Sequence, residues 1–508
     1  MSLPDACWSN NPRPPTLAPL RPVVVMHTTL TPDLLNPISH RVAAANGAFR
    51  QLYPGDPLDR QPVHTLYGGA HLFKADIAAK MGQLALRSLE EYAPNFVIFA
   101  RILKMSGYEL LPHKETEIQK LEEALAHDPE AVKRANEPAW MAYTIYTRVR
   151  EKLRREPVED LRIDFEDGYG NRPDAEEDAD AVKVGAQLAL GMEKGSLPPF
   201  IGFRVKSFSD ECYERSVRTL DLVLTTLAGK AGGRVPANFV VTLPKVQMPE
   251  QVTALVDLLE LLEARLGFPA GAIGVDLMIE TPQAIINHRG ENTVNLLVEA
   301  GRGRVRACAY GTYDYTALCN ITAHFQTHTH PAADFARHVL QVSLAGRGVT
   351  ISDGATTIMP IAPHKATPEK PLTAQQVAEN LETVHYGWKL HYDNITHSLR
   401  HGYYQGWDLN PAQLPVRYAA VYHFFLESLD DASKRLNAFI ERAAQATLVG
   451  NTFDDAATGQ GLLNFFLRGL ACGALTEAEA TATGITLDEL RSRSFVKIVR
   501  DRAARKAS

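Results

Sequence analysis

The chain has no excess of positive charge. Its 508 residues carry 53 Lys and Arg against 59 Asp and Glu, which gives a formal net charge of -6 and a pI near 6.3. Proteins that bind nucleic acid over a broad surface normally present a basic field. The composition therefore argues against a nucleic-acid partner, and the basic stretch VREKLRREP (149–157) is typical of a solvated helix face.

Cysteine is scarce and unpaired. The five cysteines are Cys7, Cys212, Cys308, Cys319 and Cys472. Their odd number, their scatter and the lack of any CxxC spacing argue against a disulfide framework and against a cysteine zinc site. We expect a protein with reduced thiols in the cytoplasm.

Long apolar runs and a nucleotide loop are also missing. The start, MSLPDACWSNNPRPP, lacks the apolar core of roughly 7–15 residues that a signal peptide needs. No stretch approaches the roughly 18 apolar residues of a membrane span, so no membrane partner is expected. The absence of GxxxxGK[ST] argues against nucleotide-dependent phosphoryl transfer.

Eight segments have the apolar character of buried strands, and helical patterns separate them. They are QPVHTLYGGAHLF (61–73), DLRIDFEDGYG (160–170), PFIGFRVKSF (199–208), NFVVTLPKVQ (238–247), GVDLMIETPQA (274–284), VRACAYGTYDYT (305–316), GVTISDGA (348–355) and YYQGWDLNP (403–411). Nearly continuous apolar runs indicate strands buried on both faces, as in parallel sheets. Eight strands alternating with helices predict an α/β fold, a TIM (β/α)8 barrel.

The rest of the chain is assigned around this barrel. Residues 1–60 are rich in proline and predict an irregular N-terminal arm, and the barrel is expected over 61–425. A highly charged stretch at about 109–157 predicts two helices inserted between the first and second strands. Residues 426–508 show only helical patterns, which predicts a C-terminal helical extension.

Charged residues end six of the predicted strands at nearly even spacing. They are Glu166, Arg204, Lys245, Glu280, Asp314 and Asp353. In a TIM barrel the carboxyl ends of the strands meet at one mouth, where functional residues lie.

Glu280 and Asp314 are the strongest candidates for metal ligands. Glu280 follows an apolar strand and precedes Thr281 and Pro282, and Asp314 follows the next strand. Two hard carboxylates from neighbouring strands suit an octahedral Mg2+ ion that keeps water ligands. Each acid on its own is equally well explained as the cap of the following helix. The pair together with the acidic cluster at residues 164–167 would repel one another at a shared mouth unless a cation lay between them, which favours a metal.

Two cationic side chains and a turn complete the predicted mouth. Arg204 interrupts the apolar strand FIGFRV, where a charge is costly unless paired. It either points into the mouth, where it can hold a substrate carboxylate or order Glu166, or forms a structural ion pair inside the barrel. Lys245, at the end of the next strand, is a weaker candidate that can bind an anion or form a Schiff base. The turn Gly311-Thr312-Tyr313 offers backbone N–H groups to a substrate carboxylate.

A second metal hypothesis uses histidine. His324, His328 and His330 lie close together after the sixth strand, and zinc sites use such residues. The stretch lacks the Glu of HExxH, and a polar loop explains it equally well.

Six motifs in order give the chain a resemblance to a known family. They are IDFEDG (163–168), FRVK (203–206), LPKV (243–246), MIETP (278–282), YGTYD (310–314) and GWDLNPAQL (406–414). With these the chain resembles the citrate lyase β-subunit-like branch of the HpcH/HpaI aldolase group, in the phosphoenolpyruvate/pyruvate barrel superfamily. It would be an enlarged member, because the arm, the insertion and the C-terminal helices are additions.

The resemblance implies roles for single residues. Glu280 and Asp314 would hold Mg2+, with Mn2+ as a substitute, and Glu166 and Asp167 would hold waters around the metal. Arg204 would stabilise the substrate's oxo or enolate oxygen. The general base stays open, with Asp430, Asp431, Asp454 and Asp455 as candidates in the C-terminal helices.

The activity implied is Mg2+-dependent carbon–carbon cleavage or formation on a 2-oxo acid or an acyl thioester, through a metal-stabilised enolate. The alternatives are phosphoenolpyruvate-type phosphoryl transfer or hydrolysis at the same metal, and a non-catalytic metabolite-binding barrel. Barrels of this kind commonly associate, so a homo-oligomer is expected. The use of coenzyme A stays open.

Overall fold

Eight parallel strands close into a barrel in the computed structural model of the chain. The structure describes residues 29–55, 57, 59–441, 447–449, 452–454, 456–482 and 484–507. The barrel strands are β1 His64–Gly69, β2 Asp160–Asp164, β3 Phe200–Arg204, β4 Phe239–Leu243, β5 Gly274–Ile279, β6 Val305–Tyr310, β7 Thr350–Ala355 and β8 Gln405–Asp408. Each falls inside its predicted segment, so the predicted TIM barrel is confirmed.

Each strand pairs in parallel with its neighbour in sequence, and β8 closes on β1. The register is regular in the first half of the barrel, where Asp164 lies opposite Arg204 and Arg204 opposite Thr242. Because parallel neighbours present their carboxyl ends at one face, the residues that follow β2 to β6 are brought together.

Helices alternate with the strands along the chain and also precede and follow them. They are α1 Pro32–Leu52, α2 Ile77–Tyr92, α3 Phe96–Leu103, α4 Glu115–His127, α5 Pro129–Ala135, α6 Glu137–Arg155, α7 Asp174–Lys194, α8 Tyr213–Ala231, α9 Pro249–Leu266, α10 Pro282–Ile285, α11 Thr293–Ala300, α12 Thr312–Leu318, α13 Pro331–Leu344, α14 Ala374–Arg400, α15 Leu414–Glu441, α16 Ala456–Ala471, α17 Glu477–Thr481, α18 Leu487–Arg491 and α19 Phe495–Ala507. Among these described helices, none is long and apolar enough to cross a membrane.

The chain divides into two units, Met1–Pro54 and Gly55–Ser508. The first contains α1, so the arm that was expected to be irregular is helical over 21 of its residues. Proline at the first turn of α1 is compatible with a helix, because its missing N–H has no intrahelical partner there.

The insertion and the extension differ in detail from their predictions. The insertion contains three helices, α4 to α6, instead of two. The extension adds a two-stranded antiparallel sheet, β9 Thr447–Val449 and β10 Thr452–Asp454. Its first helix, α15, begins at Leu414, inside the range assigned to the barrel. The extension belongs to the same unit as the barrel.

Polar side chains fill part of the barrel interior below the mouth. Arg162 binds Asp160, and its Nε donates to Thr242 Oγ1 at 3.1 Å. Thr242 Oγ1 in turn donates to Asp276 Oδ2 at 3.1 Å. All four side chains are buried, so each charge is matched by an opposite charge or a hydrogen bond, as burial requires.

Candidate active site at the mouth of the barrel

Arg204, the last residue of β3, is fixed by a two-pronged ion pair. Its Nε donates to Asp164 Oδ1 at 2.7 Å and its Nη2 to Asp164 Oδ2 at 2.6 Å. The guanidinium carbon also lies 4.9 Å from the Tyr67 ring centre and 5.4 Å from that of Trp407. Burial alone would lower the pKa of Arg204, but the Asp164 carboxylate raises it well above its ordinary value. Arg204 is therefore a permanent, immobile cation at the mouth.

Glu166 lies between two cations. Its Oε2 is 2.9 Å from Arg204 Nη1, and its Oε1 accepts a hydrogen bond from Lys245 Nζ. Lys245 Nζ is also 3.3 Å from Asp167 Oδ2 and 3.9 Å from Asp314 Oδ2. Burial lowers the pKa of Lys245, but the surrounding acids, Glu166 first, raise it above its ordinary value. The lysine is thus charged, and it does not have the lowered pKa that Schiff-base chemistry requires.

Glu280, directly after β5, is buried with one anchored oxygen. Its Oε1 accepts the backbone N–H of Lys245 at 2.7 Å. Burial, and then the nearby Asp314 carboxylate, raise the pKa of Glu280 to about 8. Lys245 holds a left-handed φ of 52°, a costly conformation for a residue other than glycine.

Gly311 allows the β5 and β6 ends to approach closely. A Cβ atom at this position would lie 2.5 Å from both Glu280 Cβ and Glu280 Oε2. The predicted turn continues as helix α12, which Thr312 begins. Thr312 Oγ1 is buried and has no hydrogen-bond partner among the residues that the structure describes. The hydroxyl of Tyr313 accepts a hydrogen bond from Thr357 Oγ1 at 3.3 Å.

The structure brings together six of the residues predicted for the site. Those linked by direct contacts or by charge are Glu166, Asp167, Arg204, Lys245, Glu280 and Asp314. Asp353 lies apart from this group: it accepts hydrogen bonds from Arg337 Nε at 2.7 Å and Ser398 Oγ at 2.5 Å, so it is part of the frame. The four acids proposed as general bases are not among these linked residues, and one of them, Asp455, is outside the described residues.

The donor set fits a hard divalent cation. Glu280 and Asp314 each offer carboxylate oxygens, and the pKa of Glu280 is raised first by burial and then by the nearby Asp314 carboxylate. The Asp314 side chain is 42% exposed, which leaves room for water ligands of the kind Mg2+ retains. Glu166 is already ion-paired with Arg204 and Lys245, so a metal would have Glu280 and Asp314 as its direct protein ligands.

The sequence reasoning missed three contacts of Arg204. The sequence pattern identifies Asp164 only as part of an acidic cluster, and it does not distinguish Tyr67 or Trp407 as contacts of Arg204. The alternation in β2 does indicate an inward-facing Asp164. Every second position is charged, at Asp160, Arg162 and Asp164, and side chains at this spacing lie on the same face of a strand. For Tyr67 and Trp407 the only signal is an aromatic residue near a strand end.

The histidine zinc site predicted after β6 does not form. His328 is buried and its Nε2 lies 3.0 Å from Ser398 Oγ, while His330 Nδ1 accepts the N–H of Ala332 at 3.1 Å. His324 is exposed. Two of the three imidazoles form local hydrogen bonds instead, so the three side chains do not converge on one metal position.

Comparisons with known proteins assign no activity. No curated protein sequence matches the chain. A citrate lyase from Burkholderia xenovorans LB400 is similar in structure, with 19% identity over 67% of this chain and 92% of that chain and a TM-score of 0.48. Malate synthase of Haloferax volcanii with magnesium and glyoxylate shows 15% identity over 67% and 86% of the two chains, with a TM-score of 0.36.

A further malate synthase structure from Haloferax volcanii, with pyruvate and acetyl-CoA, shows 16% identity over 67% of this chain and 88% of that chain and a TM-score of 0.37. The sequence itself gives the family. A family model described as "Domain of unknown function (DUF6986)" matches residues 42–498. The chain therefore belongs to the DUF6986 family.

Proposed function

We propose that the chain is a Mg2+-dependent lyase or aldolase that breaks or forms a carbon–carbon bond next to the carbonyl of a 2-oxo acid or an acyl thioester. The observation that carries this proposal is the pairing of Glu280 with Asp314 beside the fixed cations Arg204 and Lys245. Two carboxylates near enough to repel each other favour a cation beside them, and the neighbouring positive charges suit an anionic substrate.

The residues have separate roles in this proposal. Glu280 and Asp314 hold Mg2+, or Mn2+, which accepts the same oxygen donors. The bound ion supplies Lewis-acid polarisation of the substrate oxygen, an effect that can contribute several kcal/mol. Arg204 faces the negative charge that develops on that oxygen, and because Asp164 already fixes its orientation, no reorganisation is needed as the charge forms.

The remaining residues bind and position. Lys245 contributes positive charge for a substrate carboxylate, and Asp167 and Glu166 hold its ammonium group in place. Glu166 bridges Arg204 and Lys245 and so fixes the two cations relative to each other. Gly311, Thr312 and Tyr313 contact the far end of the substrate; what supports this role is the Thr312 hydroxyl, which has no hydrogen-bond partner among the described residues.

The test combines binding with product analysis. Wild type is titrated in a calorimeter with Mg2+ together with pyruvate, oxaloacetate, glyoxylate or phosphoenolpyruvate, and products are followed by NMR. Glu280→Gln and Asp314→Asn should each abolish Mg2+-dependent binding and turnover. Asp257→Asn removes a carboxylate of similar exposure on α9, away from the mouth, and should leave both unchanged.

The outcomes separate the proposed reaction from its alternatives. Full turnover in either mouth variant would refute the metal assignment. Phosphate release without carbon–carbon cleavage would replace the lyase with phosphoenolpyruvate chemistry at the same ion. Tight substrate binding with no product from any substrate would favour a metabolite-binding barrel.

A further inference from the structure

A second group of metal-ligating side chains lies outside the mouth, where α13 meets the end of α14. It consists of Asp334 in the first turn of α13, His397 in the last turn of α14, and His401 directly after α14. One ligand atom from each lies within 4.8 Å of the other two, and no other group of three acids, histidines or cysteines in the described part of the chain is so compact. We propose that this group, the 334–397–401 cluster, binds a divalent late transition metal, with Zn2+ preferred.

The helical spacing explains why two imidazoles converge. His397 and His401 are four residues apart, and residues at this spacing lie on the same helix face. Their ring centres are 4.3 Å apart. The side chains are accessible to an ion, since His397 is 23% and Asp334 26% exposed.

Hydrogen bonds leave a suitable nitrogen available on His401. Its Nδ1 lies 2.8 Å from the backbone carbonyl oxygen of His397, to which it donates, so the lone pair is on Nε2. A metal-bound histidine commonly has its other ring N–H fixed in this way. The backbone of the same helix thus sets the tautomer that a metal needs.

The other two ligands are oriented by charge. His397 Nε2 lies 2.8 Å from Asp334 Oδ1, and Arg337 Nη1 donates to the same oxygen at 2.8 Å. Arg337 is fully buried and also binds Asp353 at the end of β7, so it is a rigid support for the carboxylate. Zinc would enter between Asp334 and His397 and displace the proton that they share.

Ligand chemistry distinguishes this cluster from the mouth. Two imidazole nitrogens and one carboxylate oxygen suit zinc, whereas Mg2+ prefers oxygen donors alone. Zinc–ligand bonds of about 2.0–2.1 Å place tetrahedral ligand atoms about 3.3 Å apart, which small side-chain rotations at the cluster would achieve. A further imidazole, His338, has its ring centre 5.5 Å from that of His401.

An entry path is present beside the cluster. His397 lines a cavity of about 570 Å3 together with Thr396, Arg400 and Lys389. A bound ion would join the start of α13 to the end of α14, two helices that β7 separates in sequence. The expected effect of the metal is therefore a higher thermal midpoint as well as measurable binding.

The experiment uses the full-length chain without an affinity tag, stripped of metal by a chelator and kept in excess Mg2+. Zn2+ is added in a calorimeter, and Co2+ is used as a spectroscopic substitute. Wild type should bind one Zn2+ per chain, gain thermal stability and show the intense visible bands of tetrahedral Co2+. His397→Ala, His401→Ala and Asp334→Asn should each weaken Zn2+ binding at least tenfold.

Two controls keep the result specific. His324→Ala removes an exposed imidazole outside the cluster, and Glu280→Gln alters the mouth; both variants should bind Zn2+ as wild type does. Circular dichroism of each metal-free variant establishes that it is folded. The proposal is overturned if wild type binds no Zn2+ in excess Mg2+, if folded His401→Ala binds it equally well, or if His324→Ala loses it to the same degree.

Discussion

At the scale of single residues, Gly311 sets how closely β6 can approach Glu280. A methyl group there would overlap Glu280 Cβ and Oε2, each 2.5 Å away. Gly311→Ala should displace the Glu280 carboxylate and lower Mg2+ affinity and turnover at least tenfold while the barrel stays folded. Gly229→Ala is the matched control, because its added Cβ meets nothing within 4 Å on α8, and both quantities should stay at their wild-type values.

Glu280 should also give the protein a characteristic pH dependence. Its pKa is about 8 in the folded chain against an ordinary 4.5, so between these values the folded state holds a proton that the unfolded state has released. The contribution of Glu280 to the free energy of unfolding of the metal-free protein should therefore fall as pH rises from about 4.5 to about 8. Mg2+ binding should show the opposite trend, because the metal must displace the proton.

Urea denaturation and calorimetry across this pH range measure the two trends. In Glu280→Gln the contribution of this group to the pH dependence of unfolding should disappear, since an amide does not titrate. A wild-type Mg2+ affinity that stays constant through pH 8 would contradict the assignment of Glu280 as a ligand.

The site residues differ in how far the sequence predicts them. Glu280 and Asp314 could be found because each follows an apolar strand, and strand ends converge in a parallel barrel. The pairing of Arg204 with Asp164 in addition to Glu166 could not be predicted, because it depends on the register between β2 and β3. The convergence of the 334–397–401 cluster could not be predicted, because its side chains come from two helices and no local sequence pattern indicates that these helices meet.

At the scale of elements, the insertion shows how capping divides a helical pattern. Residues 114–135 have a continuous helical pattern, but Asp128 Oδ1 accepts the N–H of Ala131 at 2.9 Å and starts α5 with Pro129. Asn136 Oδ1 likewise accepts the N–H of Ala139 at 3.2 Å and starts α6. In both places a polar residue is followed by proline within two positions, and this pattern indicates the start of a new helix. Helical periodicity alone does not show the break.

Asn136 should accordingly stabilise α6 by capping it. Asn136→Ala leaves the Ala139 N–H without its side-chain acceptor and should lower the free energy of unfolding by about 1 kcal/mol. Asn136→Ser keeps an oxygen acceptor at the same place and should remain close to wild type. Urea denaturation of the three proteins measures the difference, and equal loss in both variants would show that packing, not capping, is the role of Asn136.

At the scale of the whole molecule, hydrogen bonds to main-chain carbonyl oxygens join the C-terminal extension to the barrel. The N–H of Gln61, next to β1, donates to Ala471 O at 2.9 Å at the end of α16. Tyr418 in α15 donates through its hydroxyl to Pro157 O at 3.0 Å, just before β2. A helical pattern in the sequence predicted the extension's helices, but not that they share one unit with the barrel, because these partners are hundreds of residues apart.

Barrel and extension should therefore lose their structure together. Phe466 on α16 is fully buried, and Phe466→Ala should cost about 3–5 kcal/mol through the cavity it leaves. Hydrogen exchange followed by mass spectrometry in urea reports separately on peptides from β8 and from α16, and Phe466→Ala should lower both midpoints equally. Val496→Ala on α19, 72% exposed, should change neither. If only the α16 midpoint fell, the extension would unfold independently and the mouth would keep its geometry without it.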